Sequence, residues 1–167
     1  MGNIKILISC HKQSIVPDSE IMLPIEVGAD LRSKHIEGYI QDNSGDNISA
    51  KNKMYCELTA QYWAWKNLDA DYYGFFHYRR YLNFSENKYP LDSWQNITEE
   101  RLNDTCLKKY NMNDDCIRNM VETYDIVLSE EKNVAKMPDR NTSVYEQYKN
   151  GRSLNIWDLD LVRDIIA

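Results

Sequence analysis

The sequence predicts a layered α/β domain built on a mainly parallel sheet, and three observations carry that expectation. The run IKILIS, residues 4–9, is apolar almost throughout, the pattern of a strand buried on both faces. The stretch NKMYCELTAQYWAWKNL, 52–68, holds neither Gly nor Pro and repeats large apolar residues at three- and four-residue steps, as an amphipathic helix does. A second apolar run, 72–78, follows that helix almost directly, so helix and strand alternate.

Taken in order, LPIEVGA (23–29) is a second, shorter strand, and Pro24, which lacks an N–H, sets its start at an edge or boundary. QDNSGDNIS (41–49) is a polar turn around Gly45. Ser49 or Asn52 can cap the helix that follows; Tyr55, Leu58, Tyr62 and Trp65 share one face of it, Glu57 and Gln61 another. Asp69 and Asp71 interrupt the pattern before the strand. Residues 83–97, with Pro90 and Trp94, read as irregular. Thr98 can cap a helix over EERLNDTCLKKY, whose acids come first and lysines last, matching the helix dipole. Asn113 can cap DDCIRNMVETY, DIVLS (125–129) is a strand candidate and KNVAKMPDRN a loop. Thr142 can cap SVYEQYKN, which Gly151 would stop, and Asp158 can cap a last helix, LDLVRDIIA. The length suits a single domain over residues 1–167.

Composition narrows the function classes. The chain is 43% hydrophobic and 28% charged, a globular balance, with a formal net charge of −6. That charge argues against general binding to nucleic acid or an anionic membrane, while a local basic pocket remains open. Cys10, Cys56, Cys106 and Cys116 form no C-x-x-C pair and no metal-ligand spacing, so they are expected to be reduced thiols of a cytoplasmic protein. The N-terminus lacks the pattern of a signal peptide, and no stretch has the apolar length of a transmembrane segment.

The chemistry concentrates where strands end. In open parallel sheets ligands bind beyond the carboxyl ends of the strands. His11 and Lys12 follow the first strand; His77, Arg79 and Arg80 end another, in DYYGFFHYRRYL (71–82). If those strands run parallel near the centre, all five emerge at one edge. The two guanidinium groups suit phosphate or carboxylate. In a continuing strand they would point to opposite sides unless the chain turns at Tyr78. Either could instead pair with an acid such as Asp46, Asp71 or Glu57, but two desolvated cations at one strand end are costly without anions. His77 could donate to phosphate or move a proton, although a histidine beside aromatics is commonly a hydrogen-bonded packing residue. Lys12 is equally a phosphate contact or a solvated charge. Asp42, Asp46 and Asn47 could hydrogen-bond sugar hydroxyls, or simply shape their turn.

Other constellations are weak. DNSGDNIS has its glycine one place early for an EF-hand and no closing acid. The acids of DAD (69–71) precede a strand rather than follow one, which argues against a metal role, and DLD (158–160) reads as a cap. There is no H-x-x-x-H, no glycine-rich dinucleotide fingerprint, no P-loop and no nucleophile elbow. Ten of the nineteen Phe, Tyr and Trp residues lie between Tyr55 and Tyr81; such rings could stack on sugars, though core filling is the commoner role.

The segments HK, PIEVGA, GDNIS, YCELTA, YWAWKN and GFFHYRRYL, then YDIVLS and SVYEQYKNGRSLNIWDLDLVRDII, follow an order that resembles the bacterial capsular and exopolysaccharide biosynthesis glycosyltransferases with a His-Tyr-Arg-Arg-Tyr motif, long catalogued as a domain of unknown function. The resemblance spans nearly the whole chain. It implies a GT-A-like α/β sandwich and transfer of a sugar from a nucleotide-diphospho-sugar, a UDP-sugar by expectation, to a saccharide or lipid-linked saccharide acceptor. It implies His11, Lys12, Asp46, Asn47 and Asn52 near the donor, and His77, Arg79 and Arg80 at its diphosphate or the reaction centre. It leaves open Mn²⁺ or Mg²⁺ as a cofactor and peripheral attachment at the inner membrane face. Arg152 and Ser153 stand where family members carry a histidine, and members continue past position 167, so the chain is expected to hold the N-terminal portion of such an enzyme. The alternative is a non-catalytic nucleotide- or sugar-binding module.

Overall fold

The computed structural model describes residues 2–139, 141–152 and 154–166. They group into two compact units, one of residues 1–86 and 101–129, the other of residues 87–100 and 130–167.

The first unit holds a four-stranded sheet of β1 (Ile4–Cys10), β2 (Met22–Glu26), β3 (Ile40–Gln41) and β4 (Tyr72–His77), in the order β3-β2-β1-β4. All three pairings are parallel, as the sequence predicts. The apolar run of β1 is explained by its place: it lies between β2 and β4, and Ile6, Leu7, Ile8 and Cys10 are buried on both faces. Pro24 pairs opposite Ile8, while β3 reaches only Ile25 and Glu26 of β2. At Pro24 the strand therefore has a neighbour on one side only, the condition a proline tolerates. Gly74 lies in register with Ile6, whose side chain would stand 2.8 Å from a Cβ there, so the isoleucine fills the space that glycine vacates.

The helix expected over 52–68 is broken. A 3-10 turn (Ser49–Lys51) leads into α1 (Asn52–Tyr55); Cys56 then takes φ 47° and ψ −126°, and α2 (Leu58–Asn67) begins anew. The face that turns inward also differs from the aromatic stripe. Thr59, Ala60, Trp63 and Ala64 are buried, whereas Tyr55, Leu58 and Trp65 are exposed. Small Ala60 and Ala64 let α2 lie close to Leu7, Ile25 and Val27, and Trp63 completes that core with its Nε1–H donated to Ser44.

One buried carboxylate ties these pieces together. Asp42, just past β3, accepts from the N–H groups of Gly28 (2.8 Å) and Ala29 (3.0 Å), from Thr59 Oγ1 (2.6 Å) on α2, and from Ser49 Oγ. On the opposite sheet face Phe76 packs edge-on with Tyr81 (5.4 Å) and Phe84 (6.3 Å). Phe84 N donates to the carbonyl of Tyr110, at the end of α3 (Asp104–Lys109). Helix α4 (Asp114–Thr123) buries Ile117, and its Asp114 accepts from Ser19 and Glu20 ahead of β2.

Several local expectations are corrected. Asn103, not Thr98, caps α3, its side chain accepting from Cys106 N; Thr98 donates to Asp92 instead. Asn113 caps α4 as expected. Residues 125–129 form no strand: Ile126 and Leu128 are 72% and 78% exposed, with no partner strand among the described residues to bury their apolar face. In the second unit, α5 (Val144–Asn150) is capped by Ser143, which accepts from Glu146 N, while Thr142 reaches the Glu146 carboxylate; Gly151 ends the helix. α6 (Ile156–Ile166) begins two residues before Asp158, with Asn155 accepting from Trp157 N. Arg140 of the expected loop and Ser153 lie outside the described residues.

The Asp42 network gives a direct stability test. Asp42→Ala leaves two buried N–H groups and the Ser49 hydroxyl without their acceptor and Thr59 with Cys56 O alone, and should lower the unfolding free energy by roughly 3 kcal/mol or more in urea denaturation. A loss below about 1 kcal/mol would show that these groups find other partners.

Candidate functional site

β1 and β4 run side by side with Ser9 opposite His77. The ladder continues one step, Tyr78 N donating to Ser9 O at 3.2 Å, and then both chains leave the sheet. His11 and Lys12 therefore emerge beside His77, Arg79 and Arg80, at the carboxyl rim. The chain turns at Tyr78–Arg79: Arg80 N donates to His77 O at 2.8 Å, closing the turn. The strict alternation of Arg79 and Arg80 that a continuing strand would impose does not apply.

The ring of Tyr78 is the hub. The His77 ring centre lies 4.3 Å from it and the His11 ring 5.1 Å away, edge-on. The Arg79 guanidinium carbon stands 5.1 Å from the same ring and Lys12 Nζ 5.7 Å, within cation–π range. One aromatic ring thus has cations from two strand ends around it. His11, Lys12, Arg79 and Arg80 are exposed, open to a ligand.

His77 is 13% exposed at its side chain and is the enclosed member of the group. Its Nδ1 lies 3.2 Å from the N–H of Arg79, which can only donate; Nδ1 is the acceptor, and in the neutral ring the proton belongs on Nε2. Nε2 faces Glu57 Oε1 at 3.6 Å. Desolvation holds the imidazole below its ordinary value, and Arg80, Arg79 and His11 push the same way, while Glu57 opposes them.

Two of the groups here were not anticipated as site residues. Tyr78 was read as a turning point rather than a platform. Arg32 donates to the carbonyl of His11 and so adds a further cation to the rim. It is held by Glu26, a fully buried carboxylate at the end of β2 that also accepts from the N–H of Ile36 (3.1 Å) and meets His35 Nδ1 (3.2 Å). Arg32 Nε is 3.2 Å from Glu26 Oε1 but off the hydrogen-bonding line, so that oxygen has ionic contact alone. The readable signal was an acid inside the apolar stretch LPIEVGA, which must find a cation to be buried.

The expected donor residues divide. Asn52 is at the rim: its carboxamide packs on Gly28, where a Cβ would stand 2.8 Å away, and its Nδ2 donates to Cys56 O (2.7 Å) and Thr59 Oγ1 (3.0 Å). Gly28 also has φ 69°, so glycine is required there twice over. Asp46 and Asn47 are elsewhere. Asp46 bonds Asn67 through its backbone and Tyr62 through its side chain, and Asn47 bonds Asn43, Gly45 and Ser49 within the turn. Asn67 ends α2 just before β4 starts, and β4 needs about 16 Å to travel from Tyr72 to His77. The structure thus leaves Asp46 toward the amino edge, away from the cations, and Asn47 bonded within its own turn. Among the described residues no set of three or more His, Cys, Asp or Glu side chains converges on a common point, and no helix is long and apolar enough to cross a membrane.

His77 should therefore titrate below 6.5 in the folded chain, followed by its ring proton resonances. Because folding lowers this pKa, the associated stability is complete above the unfolded value and is lost as pH falls through the folded one. Glu57→Gln should lower the midpoint further; an unchanged midpoint would contradict the Glu57–His77 contact.

Comparison with known proteins places this geometry. Residues 5–167 match the family described as "Domain of unknown function (DUF4422)". Among solved structures, one titled "WbbM bifunctional glycosytransferase apo structure" matches with a TM-score of 0.88 at 38% identity, over 98% of this chain. The chain spans 29% of the length of that protein, so it corresponds to part of it. No curated protein matches. The α/β architecture is thus shared with part of a glycosyltransferase, and the chain belongs to the DUF4422 family.

Proposed function

We propose that this chain forms the donor-binding part of a glycosyltransferase, moving a sugar from a nucleoside-diphospho-sugar to a saccharide acceptor. The observation that carries this reading is the gathering of His11, Lys12, His77 and Arg79 around the Tyr78 ring, with Arg80 in the same turn. The likeness in fold to part of a bifunctional glycosyltransferase supports it.

Chemistry explains why such a cluster suits the reaction. As the bond between sugar and diphosphate breaks, negative charge gathers on the departing nucleoside diphosphate. Lys12 and the two guanidinium groups would take up that charge, and His77 Nε2–H would donate to a phosphate oxygen. Among the described residues the side chains of Lys12, Arg79 and Arg80 make no hydrogen bond, which leaves their donors for a ligand. Capsular or exopolysaccharide assembly, a UDP-sugar donor and a lipid-linked acceptor are the pathway, donor and acceptor that the sequence resemblance favours. Mn²⁺ or Mg²⁺ would join through the diphosphate itself, which supplies the oxygen ligands such ions prefer.

UDP at saturating concentration should raise the melting temperature of the chain, with or without Mn²⁺ or Mg²⁺, because a ligand held by the folded state stabilises it. Lys12→Ala or Arg79→Ala should weaken that shift. In a full-length relative, Arg79→Ala or Arg80→Ala should reduce turnover by about 3–4 kcal/mol of transition-state stabilisation. Absence of any UDP shift in the wild type, or wild-type rates in both arginine variants, would contradict the assignment.

A further inference from the structure

We infer that Glu57 is the general base of this site, the group that takes the proton from the attacking acceptor hydroxyl; the inference rests on the glycosyltransferase reading above. Beside an anion site a carboxylate repels the anion to be held, so its place at this rim asks for a use beyond balancing the cations. Glu57 reaches His77 Nε2 at 3.6 Å and is 47% exposed at its side chain. Two other carboxylates at the carboxyl ends of the strands, Glu26 and Asp42, are fully buried and held, Glu26 by Arg32 and Asp42 by the N–H groups of Gly28 and Ala29 and the hydroxyls of Ser49 and Thr59, so a substrate cannot reach them.

Four of the other side chains at the rim are poorly suited to act as the base. Lys12, Arg79 and Arg80 carry only donors at neutral pH. His77 has its Nδ1 lone pair occupied by the Arg79 N–H and its proton on Nε2, and burial with neighbouring cations makes it a weaker base. The Glu57 side chain is half-exposed and so within reach of an acceptor.

The backbone is bent to put it there. The sequence from Asn52 to Leu68 favours one continuous helix, but Cys56 adopts φ 47° and ψ −126°, a conformation that costs a non-glycine residue about 1–3 kcal/mol. Cys56 is held in it from both sides: its N–H donates to Asn52 O at 2.8 Å, and its carbonyl accepts from Asn52 Nδ2. Asn52 is anchored in turn on Gly28 and on Thr59, which donates to the buried Asp42. The break between α1 and α2 is thus supported by the buried network, and the residue it delivers to the cationic rim is Glu57.

The step balances as a single displacement. The acceptor O–H gives its proton to a Glu57 oxygen while the acceptor oxygen forms the new bond to the anomeric carbon. The bond from that carbon to the terminal phosphate oxygen breaks, its electron pair leaving with the nucleoside diphosphate onto the cations. Protonated Glu57 then returns its proton to water.

Glu57→Gln keeps size and hydrogen-bonding capacity but removes the base. UDP should raise the melting temperature of wild type and Glu57→Gln alike. Release of UDP from UDP-glucose, UDP-galactose or UDP-N-acetylglucosamine, with water in the place of the acceptor, should fall about 100-fold or more in the variant. Release within about threefold of wild type would overturn the inference, being far below the contribution of a general base. So would a wild type that binds UDP yet releases none from any of the three sugars, and so would loss of the UDP shift in Glu57→Gln, which would make Glu57 a structural support. A wild type that UDP does not stabilise would instead overturn the glycosyltransferase reading itself.

Discussion

In-register parallel pairing of β1 with β4 governs where every charged group of the rim stands. Ser9 opposite His77 means that the two chains run out of sheet at the same level and on the same side. Had the strands been antiparallel, Lys12 and Arg79 would have emerged at opposite edges. A slip by one residue would have turned His77 to the other face, away from α2. The apolar character of β1, the glycine that admits Ile6 and the aromatic residues of β4 all serve to fix that register. The charged ends inherit their positions from it.

Convergence of like charges has to be compensated. Tyr78 offers its ring face to cations from both strands. Glu57 faces His77, and Glu26 balances Arg32 from within the sheet. These devices keep the rim intact without an anion while leaving Lys12, Arg79 and Arg80 exposed to meet one. Their supports differ in depth. Glu26 and Asp42 are fully buried and rigidly bonded, whereas the side chains that would touch a ligand lie at the surface on short turns. Rigid support beneath exposed donors is the arrangement that positions charge without having to reorganise it.

Much of this was legible in the chain, and the limits have physical causes. The apolar run of β1 announced a strand buried on both faces, and the juxtaposition of HK with HYRR followed from parallel order alone. What could not be read was long-range. The break at Cys56 is imposed by Asn52 and Thr59 through a carboxylate contributed by the end of β3, and nothing in NKMYCELTA marks it. Periodicity selected Tyr55, Leu58, Tyr62 and Trp65 as a face, but close approach of α2 to the sheet favoured alanines instead. Asp46 shares a turn with Asp42, yet the turn extends far enough to put Asp46 beside Asn67 at the end of α2 while Asp42 stays on the carboxyl side. DIVLS has strand composition without a partner strand among the described residues, and composition does not supply a partner.

The claim beneath all of this is that cations from two strands serve one anion. A crystal structure of the chain with UDP tests it most directly. The diphosphate is expected at the carboxyl rim, within hydrogen-bonding distance of Lys12 from the β1 end and of Arg79 or His77 from the β4 end. A diphosphate bound elsewhere, or contacted by residues of one strand end alone, would contradict it.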